Sequence, residues 1–401
     1  MWIDRELRER VIESSEKFPA VLLTGARQTG KTSLLRHTFS DSEYFSFELP
    51  SNRARVMENP LEFLRQYRGR VIFDEVQNLP EITRFLKVVI DERRDLRGQF
   101  LLTGSEKFQL MQGVSESLAG RIAVMDLETL GFFEISELTS LEEYLVRGGF
   151  PELQANPDVP ADTFFSSYFA TYLERDVRRL GRITNLVPFE SLVLALAHRA
   201  AQFLNYADVA RDVGVSPTTV SDWIKILEAS NQISLVPQFF LSFGKRLAKA
   251  PKIMFRDPGM LAFLLGLRHS ADLFSSGLRG QVFENAVFNE LLRAVGDVTV
   301  AGRIYCWRES NGVEVDFVIP DGDGATLVEA KFAEEPTAKD AANIVKVHET
   351  MRLPADAVHY VVCRSDVRFA IRKEPTVVAL PFGEIAATFR SRRAVEPRPV
   401  N

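Results

Sequence analysis

The chain has 401 residues, 46% of them apolar, a net charge of −5 and two cysteines. That length suggests two or three domains, each able to fill a core. The charge balance excludes a polycation that binds nucleic acid through its whole surface, and two cysteines exclude a disulfide framework or a metal knot. No apolar run approaches the ~18 residues of a membrane-spanning helix, and Met1-Trp2-Ile3-Asp4-Arg5-Glu6 has neither signal nor transit character. Cys306 and Cys363 lie in apolar, strand-like runs and read as buried thiols, which fits a reducing cytoplasm.

The first predicted strand, Ala20-Val21-Leu22-Leu23, runs into Thr24-Gly25-Ala26-Arg27-Gln28-Thr29-Gly30-Lys31-Thr32-Ser33, and a helix-forming run follows. This is G-x-x-x-x-G-K-[ST] in the strand–loop–helix setting that a phosphate-binding loop requires. Gly25 and Gly30 let the backbone curl so that N–H groups and the helix N-terminus face phosphate oxygens. Lys31 would reach the β- and γ-phosphates of ATP, and the Thr32 hydroxyl would serve Mg²⁺. The next strand, Arg70-Val71-Ile72-Phe73, ends in Asp74-Glu75. Asp74 would complete the Mg²⁺ shell, and Glu75 would orient and polarise the attacking water.

A third strand, Gln99 to Ser105, ends in hydroxyls. If it lies between the first two, Thr103 or Ser105 can hydrogen-bond the γ-phosphate or the water; otherwise it is an ordinary strand end. Arg121 precedes an apolar strand from Ile122 to Leu127. It reads either as an arginine finger acting on a neighbouring subunit's nucleotide, or as a helix cap or a partner of Asp126.

This order of motifs resembles an AAA-type ATPase core. With Pro251-Lys252-Ile253-Met254-Phe255-Arg256-Asp257 and Gly280-Gln281-Val282-Phe283-Glu284-Asn285 further on, the chain resembles the bacterial and archaeal ATP-binding proteins that join such a core to a C-terminal domain of unknown function. The resemblance implies ATP and Mg²⁺ as cofactors and a homo-oligomer.

Strand and helix patterns alternate to about Glu128, which predicts a parallel sheet covered by helices. Helical periodicity dominates from Phe132 to His198, with an aromatic stripe at Tyr168-Phe169-Ala170-Thr171-Tyr172-Leu173 that reads as helix core. Residues Asn205 to Ser230 predict two helices across the turn Gly214-Val215, with Ser216 as N-cap and Pro217 at the first helical position. Apolar Ile233 to Val236, a basic loop from Ser242 to Lys252 and the strand Lys252 to Phe255 complete a helix-turn-helix with a wing. Its second helix presents Thr218, Thr219, Ser221, Asp222 and Lys225 outward, thin material for reading DNA sequence. The basic loop and Arg175, Arg178, Arg179 and Arg182 are the local positive clusters. Either is a nucleic-acid contact or a solvated face.

Two further strands, Val313 to Ile319 and Leu327 to Phe332, flank a turn rich in Gly and Asp. Period 2 puts Glu314 with Asp316, and Glu329 with Lys331, on one face each. Asp316 and Glu329 would bind a divalent metal, with Lys331 beside the bound water and Glu284 as a further acid from a helix. A half-exposed hairpin with charges on its wet face is the plain alternative. The order of helix acid, hairpin acid and Glu-Ala-Lys resembles the PD-(D/E)XK nuclease superfamily, whose members include inactive scaffolds.

The expected architecture is therefore α/β: an AAA-type core at 1–135, a helical lid or connector at 136–200, a winged helix-turn-helix at 201–256, a restriction-endonuclease-like α/β domain at 257–390 and a flexible tail at 391–401. The expected function is Mg²⁺-dependent ATP hydrolysis coupled to binding or processing nucleic acid, DNA in the first place, with a metal-dependent nuclease at the C-terminus. The alternative is an ATP-driven regulatory switch that binds a protein or DNA partner and whose nuclease-like part is an inactive scaffold. No membrane partner is expected.

Overall fold

The computed structural model describes residues 1–105, 117–178, 183, 185–240, 249–296, 304–322 and 324–390, without the side chains at 175 and 176. Most of the basic loop (242–248), Arg179, Arg182 and the tail from 391 lie outside the described residues, as does the Arg175 side chain.

The chain forms two compact units. The first comprises Met1–Leu130, Phe150–Asn156 and Ala229–Gln232, and the second Gly131–Gly149, Pro157–Glu228 and Ile233–Asn401.

The first unit is built on five strands: β1 (Ala20–Thr24), β2 (Glu43–Ser46), β3 (Val71–Asp74), β4 (Phe100–Thr103) and β5 (Ile122–Asp126). They pair in the order β2-β3-β4-β1-β5, all parallel. Alternation along the central strands assigns each face a core. Ala20, Leu22, Val71, Phe73, Phe100 and Leu102 pack one side, and Val21, Leu23, Ile72, Leu101 and Met125 pack the other. A parallel sheet buried on both faces demands the nearly continuous apolar strands that the sequence carries. Because every strand runs the same way, the C-terminal ends of β1, β3 and β4 lie along one edge, where ligands of open α/β sheets bind.

The second unit carries a helical segment and, further on, the helices Tyr206–Val213 and Pro217–Ala229. Asn205 caps the first through Ala207 and Asp208 N–H, and Gly214 ends it with φ 76°. Ser216 Oγ accepts the Thr219 N–H at 3.0 Å and caps the second, whose buried residues are Val220, Ile224 and Leu227. A two-stranded antiparallel ribbon follows, β6 (Ile233–Val236) with β7 (Lys252–Phe255). A six-stranded mixed sheet completes the unit: β8 (Tyr305–Arg308), β9 (Glu314–Asp321), β10 (Gly324–Ala330), β11 (Val358–Cys363), β12 (Phe369–Arg372) and β13 (Thr376–Pro381), in the order β12-β13-β11-β10-β9-β8. β9 and β10 form the expected hairpin, closing with Gly324 opposite Asp321. Cys306 and Cys363 are buried free thiols. Among the described residues, no helix is long and apolar enough to cross a membrane.

Candidate functional site

The loop after β1 leads into the helix Lys31–Thr38, with Gly30 as its N-cap at φ 92°. Gly25 sits at φ 141°, and a Cβ there would meet the Leu127 carbonyl oxygen at 2.3 Å, so glycine is required on both backbone and packing grounds. Lys31 is 5% exposed. Its Nζ donates to the carbonyl oxygens of Gly25 at 3.0 Å and Ala26 at 2.7 Å. Burial lowers its pKa to about 8, with Glu75 pulling the other way. An anion brought here would offer this buried ammonium a charged partner in place of two carbonyl dipoles. Thr29 Oγ1 donates to Ala26 at 3.0 Å and steadies the curl that contains Arg27 and Gln28, the latter at φ 60°. Ser33 follows Thr32 in the first turn of the helix.

β4 does lie between β1 and β3. Asp74, 6% exposed, is the hub: Thr32 and Thr103 each donate to its Oδ1 at 2.5 Å, and Tyr44 donates to Oδ2 at 2.8 Å. Burial, then the Asp74 hydrogen bond, pushes the Tyr44 phenol up to about 12. The pairing of Thr32 with Asp74 is the donor set a phosphate-bound Mg²⁺ needs, hard oxygen from hydroxyl and carboxylate. The residues present therefore fit an ATP–Mg²⁺ site. When bound, Mg²⁺ would supply charge neutralisation for the phosphates there.

Glu75 adopts a left-handed backbone, φ 56° and ψ 50°, a conformation that costs a non-glycine residue of order 1–3 kcal/mol. Its N–H donates to Thr103 Oγ1 at 3.0 Å. Its carboxylate Oε2 accepts from Gln77 Nε2 and, at 3.3 Å, from Ser105 Oγ. Gln77 Nε2 also donates to Ser105 Oγ at 3.0 Å, which closes a triangle around Glu75. From sequence, Tyr44 was not singled out, and Gln77 belonged to the motif running on from Asp74-Glu75 without a role of its own. Gln77 stands two residues past Glu75, and that closeness was the signal the sequence offered; Tyr44 required knowledge that β2 neighbours β3.

Arg5 was also missed. It is 8% exposed and donates to Thr29 O at 2.8 Å and Glu128 O at 2.6 Å, pinning the start of the chain to the loop.

Arg121 lies just before β5, at the strand's N-terminal end, whereas the phosphate loop follows the C-terminal end of β1 beside it. Its guanidinium grips Asp91 through Nε at 2.8 Å and Nη2 at 2.9 Å. Asp126, the partner offered as one alternative, instead accepts from Thr24 Oγ1. The correction has a simple cause: Asp126 stands at the other end of the strand, paired with Thr24.

The second unit brings together Glu284 from the helix Arg279–Val295, Glu314 and Asp316 from β9, and Glu329 from β10 with Lys331 just beyond it. Sequence reasoning placed Lys252 in the wing and did not foresee its position here. Its side chain is 1% exposed, and its Nζ lies 2.6 Å from Glu284 Oε1, 2.8 Å from Glu314 Oε1 and 3.1 Å from Asp316 Oδ1. Burial opposes its charge, but Asp316, Glu284 and Glu314 outweigh it and raise its pKa well above normal. Burial and the neighbouring Asp316 push the Glu329 carboxyl up. Burial also acts on Asp316, yet Lys252 and the hydrogen bond with Glu329 hold it below the usual range. Asp316 Oδ2 accepts the Ala330 N–H at 3.0 Å, and Lys331 Nζ stands 3.6 Å from Glu329. Among the described residues, no three His, Cys, Asp or Glu side chains converge as a metal set.

Residues 17–136 match the model of the AAA domain. Residues 138–271 and 279–385 match two domains of unknown function, DUF8612 and DUF4143. An uncharacterized protein of Mycobacterium tuberculosis is 28% identical over 387 residues, covering 96% of this chain and 85% of its own length. One of Haemophilus influenzae is 20% identical over 364 residues, covering 82% of this chain and 87% of its own. Among solved structures, a Walker-type ATPase of Pyrococcus abyssi is 19% identical, with a TM-score of 0.45, 66% of this chain covered and 96% of that one. The AAA-domain match and the parallel P-loop sheet support an AAA-type ATPase core and ATP-driven activity.

Proposed function

We propose that the protein is an Mg²⁺-dependent ATPase whose N-terminal unit hydrolyses ATP to ADP and phosphate. The observation that carries this reading is the convergence of Lys31, Thr32, Asp74 and Thr103 at one edge of the sheet, with Glu75 held beside them. Lys31 and the loop N–H groups would hold the phosphates, and Thr32 with Asp74 would hold the metal. Glu75 would orient the attacking water and accept its proton, with Gln77 and Ser105 fixing the carboxylate through Oε2. Arg121 would act in trans only after leaving Asp91, so hydrolysis would depend on assembly.

The partner proposed first is DNA, met by the helix-turn-helix and ribbon in a winged-helix arrangement and coupled to the ATP cycle. A regulatory switch is the second reading, and two observations favour it. The single cation on the outward face of the second helix, Lys225, is paired with Asp222 at 2.9 Å, and the nuclease-like carboxylates surround Lys252.

One experiment addresses both readings: ATP turnover by wild type and Lys31→Ala, with and without supercoiled or linear DNA, scoring DNA integrity in the same tubes. Turnover that Lys31→Ala abolishes supports the ATPase, and stimulation by DNA supports the first partner. Equal turnover by the two proteins would overturn the ATPase reading. An unstimulated enzyme leaving DNA intact selects the switch.

A further inference from the structure

The PD-(D/E)XK resemblance implies a divalent cation between Asp316 and Glu329, and the residues present do not fit one. An ammonium has three N–H donors. Lys252 Nζ has three carboxylate oxygens within 3.1 Å, each from a different residue, Glu284, Glu314 and Asp316. Its donor capacity is matched one for one, and its side chain is 1% exposed. The other oxygen of Asp316 is engaged by the Ala330 N–H. Divalent cations of the Mg²⁺ class need oxygens at about 2.0–2.1 Å and in near-octahedral array. Distances of 2.6–3.1 Å suit an ammonium, and Asp316 and Glu329, the two expected ligands, are hydrogen-bonded to each other.

Lys252 also has a structural reason to stay. It opens β7 opposite Val236 of β6 and bridges to Phe203, so its backbone belongs to the ribbon. Its side chain reaches a helix and a sheet strand far along the chain. Removing one member of a buried ionic group leaves the others uncompensated, which is strongly destabilising.

We propose that Lys252 is the resident cation of this cluster. Its ammonium takes the position a divalent metal would need, so the carboxylates hold no Mg²⁺ or Mn²⁺ and instead tie the ribbon to the helix Arg279–Val295 and the β9–β10 hairpin. The cluster is then a metal-free scaffold, whether or not the N-terminal unit is an ATPase.

The test uses the full, nucleotide-free chain, with Mn²⁺ as the probe in calorimetry and thermal melting. Wild type is expected to show no Mn²⁺ binding that Asp316→Asn removes, and no Mn²⁺-dependent rise in Tm. Lys252→Met, which keeps length and loses charge, should lower Tm by on the order of 10 °C. Adding Asp316→Asn to it should recover part of that loss, because one uncompensated carboxylate is gone. If Lys252→Met cannot be purified, a soluble double variant supports the proposal, and failure of both counts against it. Mn²⁺ binding by wild type that Asp316→Asn abolishes overturns the proposal, as does a Lys252→Met protein that melts with wild type.

Discussion

Two buried lysines, one in each unit, show how the same side chain can be left open or closed. Lys31 is held by the carbonyls of Gly25 and Ala26, and burial drags its pKa down to about 8. Lys252 is ringed by three carboxylates, which together raise its pKa well above normal in spite of burial. A buried ammonium that hydrogen-bonds only carbonyls, with Glu75 and Asp74 too weak to offset its burial, retains a demand for negative charge; one hydrogen-bonded to three carboxylates has none. The first environment suits a passing phosphate, and the second suits a permanent tie.

The sharpest way to break this contrast is to remove the open lysine. Lys31→Ala should lower ATP turnover by roughly 10²–10³-fold, the usual loss when one preorganised charge-stabilising donor is deleted. It should also weaken nucleotide affinity, since on the proposed reading the ammonium would contact ground state and transition state alike. Turnover at the wild-type rate, measured by phosphate release, would remove the functional half of the comparison.

Glu75→Gln probes the same site from the water's side. Binding should persist while hydrolysis falls by on the order of 10²-fold, because only water activation is lost. Nucleotide co-purifying as ATP would be the signature, and rapid recovery as ADP would contradict it.

Gln77→Leu sharpens the assignment further. Its amide donates to both Glu75 and Ser105, so its loss should misplace the carboxylate and cut kcat by roughly tenfold or more, with KM within about twofold. On a Glu75→Gln background the same change should have little further effect, because the group it positions is gone. Independent, additive losses would instead mean a general packing defect.

The asymmetry between the two lysines was only half legible in the sequence. The phosphate loop and the Asp74-Glu75 strand end are local: each chemistry-bearing residue lies within a few positions of the element that aims it, so spacing suffices. The placement of β4 between β1 and β3 was conditional at that level and is now visible in the sheet order. The hairpin β9–β10 could be read from its turn and alternation. Lys252 could not be read in the same way, because its partners lie 32, 62 and 64 positions later, at Glu284, Glu314 and Asp316. Its basic neighbours in sequence suggested a surface loop, whereas tertiary packing put it inside. Tyr44 and Arg5 escaped for the same reason: each acts through a contact set by sheet order or by the path of the N-terminal segment.

The smallest expected effect is also the most direct measure of the open lysine. In the nucleotide-free protein Lys31 loses its proton near pH 8, and phosphate oxygens would favour the ammonium, so bound nucleotide should hold that proton to higher pH. ATP binding at pH 8.5 should therefore take up a fraction of a proton per site. Affinity should be nearly flat below pH 7 and fall as pH rises through 8, by at most about tenfold per pH unit. Folding stability takes the opposite sign. An unfolded lysine keeps its proton to about pH 10.4, so the folded, nucleotide-free protein carries the full penalty of a buried charge below pH 8 and is relieved of it as pH rises above that value. Calorimetry in two buffers of different ionisation enthalpy reports the proton count, and Lys31→Met should erase it. A wild-type protein that binds ATP with no proton uptake at pH 8.5 would show that Lys31 is already fully charged before nucleotide arrives, and that its two carbonyl partners satisfy it after all.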